Sequence, residues 1–195
     1  MPKKKLAVLV SGNGSNLQAV IDAIVAGKLN YKIEVVISNK EKAFALERAK
    51  KANIQTLYLP YKKNVCREEY DKNLRQKAAE FAPDYIILLG WMRILTNTFI
   101  SSFSDRIINL HPALPGTFPG TNAIGEQYTA FLNGKISKCG IMTHFVPDEG
   151  VDSGPVIFTQ EVKITKSMTR EEFEAEVHAE EHKLVIKTLK YLETL

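Results

Sequence analysis

Asn109 and His111 stand two residues apart at the end of a stretch that begins at Ile107, and Pro112 follows them. Side chains two positions apart in a strand point to the same side, so both would face one space. Because proline cannot continue a central ladder, His111 should lie at the strand end, where open α/β sheets bind ligands. A strand that merely ends in two polar residues is the plainer interpretation. The Pro-x-x-Pro-Gly that follows and an acidic loop at 148–152 favour a site instead.

The candidate site would combine the amide of Asn109, the imidazole of His111 and a carboxylate from the acidic loop. This set of groups lacks a nucleophile. Neither Cys66 nor Cys139 neighbours a histidine at a strand end, and the chain has no Gly-x-Ser-x-Gly elbow. Such a set suits direct acyl transfer between two bound substrates. That reaction needs a donor to the tetrahedral oxyanion and a group that moves protons between amines.

His144 ends a later strand-like stretch, and a structural role fits it as well as a functional one. Metal binding by His111, His144 and Asp152 is an alternative, but these residues lack the compact spacing of metal-ligand motifs. We therefore predict no metal ion.

A glycine-bearing turn, Ser11 to Asn16, separates an apolar strand at 6–10 from an amphipathic helix at 17–24. A strand, a glycine-rich turn and a helix N-terminus can hold a phosphate, because glycine lets the backbone approach and free amides face the anion. Alternatively, Ser15 or Asn16 serves only as the N-cap of the helix.

The kind of phosphate ligand can be narrowed from the neighbouring residues. Leu17 stands where a dinucleotide fingerprint needs its third glycine, and the second strand ends in Ser38-Asn39-Lys40 without an acid for a ribose hydroxyl. No Gly-Lys-Ser/Thr completes a P-loop. These features disfavour dinucleotides and ATP, and favour a monophosphate ester.

A second loop at a strand end runs from Gly90 through Met92, Arg93, Ile94 and Leu95. Its apolar side chains could form a wall for a flat heterocycle, although core packing is the default and an arginine fits a core poorly. Arg67, near the start of a predicted helix, is by itself best explained as a solvated side chain paired with a neighbouring glutamate.

The order of apolar and amphipathic stretches predicts an α/β fold with a Rossmann-like, open and mostly parallel sheet, helices on both faces and a late antiparallel-type hairpin. The predicted strands are 6–10, 33–38, 54–59, 85–89, one from 106, 138–146 and 156–162. The predicted helices are 17–24, 43–52, 67–81, 96–103, 123–133 and one from 168 or 169. We expect a single domain, 1–195.

Composition excludes several classes of protein. Of 195 residues, 45% are hydrophobic and 25% charged, which is ordinary for a globular protein. No apolar run reaches the length of a membrane span, no cleavable signal is visible, and two cysteines are too few for a disulfide scaffold. We expect a cytoplasmic protein. A net charge of +4 suits anionic small substrates and is weak evidence for nucleic-acid binding.

Along nearly its full length the chain resembles the phosphoribosylglycinamide formyltransferases, folate-dependent enzymes of purine synthesis. The resemblance rests on the motifs Ser11–Gln18, Met92–Leu95, Asn109–Pro112 and Val151–Gly154. The Asn-x-His-Pro element is shared by all formyl hydrolases and transferases that use 10-formyltetrahydrofolate. The Ser-Gly-Asn-Gly-Ser-Asn loop, in a chain this short, indicates the glycinamide ribonucleotide branch.

The resemblance implies formyl transfer from 10-formyltetrahydrofolate to the amine of glycinamide ribonucleotide. In catalysis, Asn109 would bind the formyl oxygen, His111 would act as general acid, and Asp152 would keep that imidazole protonated. Glu181, in a segment that begins at His178, would lie near the ribonucleotide's amine.

The resemblance also implies the binding residues. Those expected to hold the ribonucleotide phosphate are Gly14, Ser15 and Asn16. Those expected to contact the folate are Arg67, Met92, Arg93, Ile94, Leu95 and Asp148.

Two features depart from the family pattern. The loop from His144 to Asp152 is one residue longer than in common bacterial members, which affects Asp148 and the contacts to the pterin. Thr121-Asn122-Ala123-Ile124 replaces a segment in which bacterial relatives often carry histidines, so substrate contacts there do not transfer.

Three alternatives stay open. A tRNA formyltransferase would need a C-terminal RNA-binding domain, and a formyltetrahydrofolate hydrolase would need an N-terminal regulatory domain. We expect neither in 195 residues. A nucleotide-sensing module would bind phosphate but would give no reason for Asn109, His111 and Asp152 to converge. The sequence does not determine the oligomeric state.

Overall fold

The computed structural model describes residues 2–62 and 64–195. Its strands are β1 (Lys4–Val10), β2 (Tyr31–Ser38), β3 (Thr56–Tyr58), β4 (Tyr85–Leu88), β5 (Ile107–His111), β6 (Cys139–Phe145) and β7 (Val156–Val162). Its helices are α1 (Ser15–Val25), α2 (Phe44–Lys51), α3 (Arg67–Ala79), α4 (Asn97–Ile100), α5 (Ala123–Leu132) and α6 (Arg170–Leu192), with a 3₁₀ turn at Ser101–Phe103. No helix within the described residues is long and apolar enough to cross a membrane.

The strands form one sheet in the order β3-β2-β1-β4-β5-β6-β7. Strands β1 to β5 are parallel, whereas β6 runs antiparallel to both β5 and β7. The chain proceeds outward from β1 through β2 to β3, and then returns to the other side of β1 as β4. Ligands bind beyond the carboxyl ends of the strands at such a switch point. The predicted fold class, including its late antiparallel hairpin, is confirmed.

Strand β1 is apolar throughout because both of its faces are covered. Leu6, Val8 and Val10 pack into the core beneath α1, α2 and α6. Ala7 and Leu9 face the opposite core, beneath α3 and α4. Alternate residues of a strand point to opposite faces, so a continuous apolar run is what a two-faced sheet requires.

The predicted elements differ from the observed ones mainly at their ends. Strand β3 is shorter than predicted because it pairs only with Val36 to Ser38 at the sheet edge. The predicted helix 96–103 is a four-residue α-helix followed by the 3₁₀ turn. Helix α6 begins where expected, with Thr169 and Glu172 forming a reciprocal capping box.

Candidate active site

One cavity of about 1240 Å³ opens at the carboxyl ends of β1, β4 and β5. Two hydrogen bonds tie the loops after β1 and β4 together: the Ser11 amide donates to the Gly90 carbonyl at 2.9 Å, and the Met92 amide donates to the Ser11 hydroxyl at 3.0 Å. Every residue singled out above for a binding or catalytic role lines this cavity: Gly14, Ser15, Asn16, Arg67, Met92, Arg93, Ile94, Leu95, Asn109, His111, Asp148, Asp152 and Glu181. Their individual roles stay predictions.

Asp152 is the centre of the polar cluster at the end of β5. Its Oδ1 accepts a hydrogen bond from Asn109 Nδ2 at 2.9 Å, and its Oδ2 accepts one from the Gly120 amide at 2.9 Å. The same Oδ2 lies 3.3 Å from His111 Nδ1. Burial raises the pKa of Asp152, but the neighbouring His144, the Gly120 amide and His111 together hold it below its ordinary value. Asp152 is therefore a carboxylate at neutral pH.

Asn109 has both of its amide hydrogens engaged. Besides the bond to Asp152, its Nδ2 lies 3.1 Å from His144 Nε2. His144 Nδ1 faces the Phe145 carbonyl at 2.8 Å, so Nδ1 carries the hydrogen and Nε2 accepts from Asn109. That Asn109 binds the formyl oxygen stays a prediction. The bond to His144 must be exchanged first.

His111 is held between two acceptors. Its Nδ1 faces Asp152, and its Nε2 lies 3.1 Å from the carbonyl of Phe118. Burial lowers the pKa of His111 below its ordinary value, and the Asp152 carboxylate and the Phe118 carbonyl offset only part of that effect. That Asp152 keeps this imidazole protonated stays a prediction. The carboxylate acts in the predicted direction, but desolvation outweighs it.

The turn from Ser11 to Asn16, which we call the phosphate loop for its expected ligand, adopts its shape at Gly14, the N-cap of α1, with a φ of 77°. No side chain caps this helix, so the alternative that Ser15 or Asn16 is the N-cap is wrong. The first bond within the helix runs from the Gln18 amide to the Gly14 carbonyl at 3.0 Å, which leaves the preceding amides for an anion.

Gly14 also packs against helix α2. A Cβ on Gly14 would lie 2.6 Å from Ala45 Cβ and 2.8 Å from Ala45 Cα. The requirement for glycine therefore has two causes: the left-handed backbone conformation and the close approach of α2.

Glu181 is linked to the phosphate loop. Its Oε2 accepts from Asn16 Nδ2 at 3.1 Å and lies 2.8 Å from His178 Nδ1. The hydrogen bond with Glu181 raises the pKa of His178 above its ordinary value, although burial opposes it. Glu181 is only 5% exposed, and it contacts the loop expected to hold the phosphate through Asn16.

The wall formed by residues 92–95 exposes apolar side chains to the cavity. Met92 is 54% exposed and Ile94 is 47% exposed, whereas Leu95 is buried. The Arg93 guanidinium stacks on the Tyr61 ring, with its Cζ 3.4 Å from the ring centroid, which explains how an arginine fits this wall. Exposed Met and Ile side chains beside a cavity suit a flat apolar ligand.

The acidic loop divides its carboxylates between separate tasks. Asp148 Oδ1 accepts from the Gly150 amide at 2.7 Å and shapes the loop's own turn. Glu149 accepts from the Asn97 amide at 2.9 Å and lies 3.3 Å from Arg67 Nη2. Only Asp152 reaches His111 among these three acids, so the structure distinguishes it from its two neighbours.

A family model described as formyl transferase matches residues 4–189. This chain belongs to the formyl transferase family. A phosphoribosylglycinamide formyltransferase of Dictyostelium discoideum is 46% identical over 202 residues, which cover 97% of this chain and 98% of that protein. The protein of the same name from Escherichia coli is 40% identical over 177 residues, covering 91% of this chain and 81% of that protein. The crystal structure of a Bacillus halodurans phosphoribosylglycinamide formyltransferase superposes with a TM-score of 0.90 at 33% identity, covering 97% and 95% of the two chains.

Several contacts of this formyltransferase's cavity were not anticipated from the sequence. They include the Phe118 carbonyl, the Gly120 amide and the Glu149 bridge to Arg67. Backbone groups leave no signal in a sequence. Glu174, which was also not anticipated, does leave one, because it lies four residues before His178 and therefore shares a helix face with His178 and Glu181.

Within residues 2–62 and 64–195 of the formyltransferase, no group of three or more His, Cys, Asp and Glu side chains is placed to hold a metal ion. The absence of a metal from catalysis stays a prediction.

Proposed function

We propose that this formyltransferase transfers the formyl group of 10-formyltetrahydrofolate to the amine of glycinamide ribonucleotide, a step of purine biosynthesis. The observation that carries the proposal is that one cavity joins a phosphate-type loop, an apolar wall and the Asn109–Asp152–His111 cluster. Relatives of that name match the chain over nearly its whole length, which supports the same choice of substrates.

The substrates would divide the cavity between them. The ribonucleotide phosphate would bind the free amides at Gly14, Ser15 and Asn16, with Glu181 near its ribose and amine end. The pterin of the folate would pack on the wall at Met92 to Leu95, and Arg67 at the cavity rim would meet an anionic part of the folate. Asp148 would contribute through the shape of its loop rather than through its carboxylate, since that group is engaged with Gly150.

The reaction joins the attacking amine to the formyl carbon and then breaks the bond between that carbon and the folate nitrogen. Negative charge develops on the formyl oxygen in the tetrahedral intermediate. Asn109 would stabilise that oxygen after its Nδ2 exchanges His144 for the substrate. The bond to Asp152 is charge-assisted and stronger, so it would persist and hold the amide in place.

The attacking amine must lose a proton and the folate nitrogen must gain one. A neutral His111 can take the first proton, and the imidazolium so formed is stabilised by the Asp152 carboxylate 3.3 Å from Nδ1. His111 would then deliver a proton to the leaving nitrogen. It would act as an acid in that step, as the family resemblance implies, after first acting as a base. The Phe118 carbonyl must move away from Nε2 for this transfer.

The remaining expectations stay part of the proposal. We propose one formyltransferase domain, two small-molecule substrates, catalysis without a metal ion or nucleic acid, and a cytoplasmic location.

The test is to incubate the protein with 10-formyltetrahydrofolate and follow deformylation by absorbance, with and without glycinamide ribonucleotide. We expect deformylation only when the ribonucleotide is present, and the same rate after treatment with a chelator. Equal turnover in its absence would indicate a hydrolase. Loss of activity with the chelator would contradict metal-free catalysis.

A further inference from the structure

Arg48, on helix α2, holds Asn13 in the middle of the phosphate loop by two hydrogen bonds. Its Nε donates to the Asn13 carbonyl at 3.0 Å, and its Nη2 donates to the Asn13 Oδ1 at 3.0 Å. Its Nη1 lies 3.4 Å from Gln18 Oε1, within the first turn of α1. One guanidinium therefore fixes both the backbone and the side chain of a single loop residue. The planar fork of arginine is suited to such paired contacts.

The backbone contact has a consequence for the adjoining amide. In a planar trans peptide, the carbonyl and the following N–H point in opposite directions. Because the Asn13 carbonyl points to Arg48, the Gly14 N–H points away from Arg48. This N–H belongs to the N-cap of α1, at the positive end of an eleven-residue helix. Arg48 thus directs a backbone donor of the loop without lying on the cavity surface itself.

The side-chain contact has a similar consequence for the Asn13 amide. Its oxygen is taken by Arg48, so its Nδ2 lies on the other side of the planar group. Asn13 lines the cavity, and its Nδ2 makes no hydrogen bond to any described residue. Two hydrogens of one side chain are therefore left for a ligand. The side-chain oxygen, which would repel an anion, is hydrogen-bonded to Arg48 instead.

Helix α2 braces the whole turn. The Ala45 amide donates to the Gly12 carbonyl at 3.2 Å, and Ala45 packs directly against Gly14. The Phe44 ring lies 4.8 Å from Arg48 Cζ and restricts where the guanidinium can go. The loop is fixed at three successive residues by one helix, and Arg48 provides the only charge among these contacts.

We propose that Asn13 is a further phosphate ligand of the site and that Arg48 is its positioning residue. Arg48 orients the Nδ2 of Asn13 and the N–H of Gly14 toward the anion, and its charge adds to the positive end of α1. The identity of the anion as the ribonucleotide phosphate rests on the proposed function. The orientation of the loop donors is independent of that function, because it follows from the contacts of Arg48.

Two substitutions separate orientation from simple structural support. Asn13→Asp keeps an oxygen for Arg48 but replaces the donor group with a second, charged oxygen. Arg48→Met keeps much of the side chain's length and removes the fork, and Arg48→Lys keeps the charge without the paired geometry. Lys50→Met is the matched control, because Lys50 lies on the same helix and its ammonium pairs with Glu47 rather than with the turn.

We expect Asn13→Asp and Arg48→Met each to raise the KM for the ribonucleotide by roughly ten- to a hundredfold, the value of a charge-assisted hydrogen bond. The KM for the folate should stay within about twofold, since the wall at 92–95 is untouched. Arg48→Lys should raise the KM for the ribonucleotide by less than Arg48→Met does. Lys50→Met should leave this KM at the value of the unchanged protein.

A second readout is the dissociation constant for inorganic phosphate, measured by calorimetry on the same variants. This constant should rise most in Asn13→Asp and Arg48→Met, less in Arg48→Lys and not in Lys50→Met. The measurement tests the loop even if the protein does not transfer formyl groups. Unchanged phosphate binding in Asn13→Asp, in a protein with the Tm of the unchanged chain, would overturn the proposal. Equal losses for both substrates in Arg48→Met would also overturn it, because they indicate general support of the fold.

Discussion

The carboxylate of Asp152 joins Asn109 and His111, accepting from Asn109 Nδ2 at 2.9 Å through one oxygen and lying 3.3 Å from His111 Nδ1 through the other. One acid therefore orients the amide that would meet the oxyanion and the imidazole that would move the proton. Its backbone φ of 51° is uncommon for a residue other than glycine, so the loop holds it in a costly conformation.

Asp152→Asn should lower the pKa of His111 further, because the carboxylate is what raises it against burial. We expect kcat to fall by at least roughly a hundredfold, with smaller changes in either KM. NMR titration of the His111 ring measures the pKa directly. Asp148→Asn is the control, since Asp148 is engaged with Gly150. A fall in the His111 pKa in that variant alone would transfer the role to Asp148.

Gly14→Ala should destabilise the fold and raise the KM for the ribonucleotide. A left-handed φ costs a non-glycine residue roughly 1–2 kcal/mol, and the new Cβ would also collide with Ala45. Gly27→Ala isolates the first cost, because Gly27 has a φ of 70° and nothing within 4 Å of its Cβ position. Urea unfolding should show the larger loss for Gly14→Ala. Equal losses would mean that the contact with Ala45 relaxes freely.

His178→Gln should change how stability depends on pH. The pKa of His178 is raised by Glu181, so its stabilisation is complete below the unfolded pKa near 6.5 and is lost as the pH rises through the folded pKa. Thermal unfolding at a series of pH values should therefore show the wild type losing Tm relative to the variant in that window. His182→Gln should give the opposite slope, because burial lowers the pKa of His182.

Glu149→Gln should strengthen folate binding if an anionic part of the folate meets Arg67. The glutamine still accepts from the Asn97 amide but no longer pairs with the guanidinium 3.3 Å away. Both side chains are substantially exposed, so we expect only a two- to fivefold fall in the folate KM, roughly the value of a surface ion pair.

Arg67→Met should raise the folate KM, and Glu68→Gln, on the same helix, should leave it unchanged. Quenching of Trp91, the chain's single tryptophan and part of the cavity wall, gives a direct binding signal. A weaker signal in Glu149→Gln would show instead that Glu149 supports the folate site.

The sequence by itself determined the fold class and the cavity's location. The continuous apolar run from Leu6 to Val10, the glycines of the first turn and the proline after His111 act through bond geometry within a few residues. Such rules hold wherever the chain is placed. The loops after β1, β4 and β5 then meet at one edge of the sheet, because these three strands are parallel neighbours.

The tertiary structure alone decided how the site residues interact. Asp152 rather than Asp148 reaches His111. Asn109 donates both of its amide hydrogens to protein partners. Burial lowers the pKa of His111 by more than the Asp152 carboxylate raises it. Arg48 holds Asn13 from 35 residues away. Each of these outcomes depends on burial and on distances between residues far apart in the chain, and no local pattern encodes either quantity.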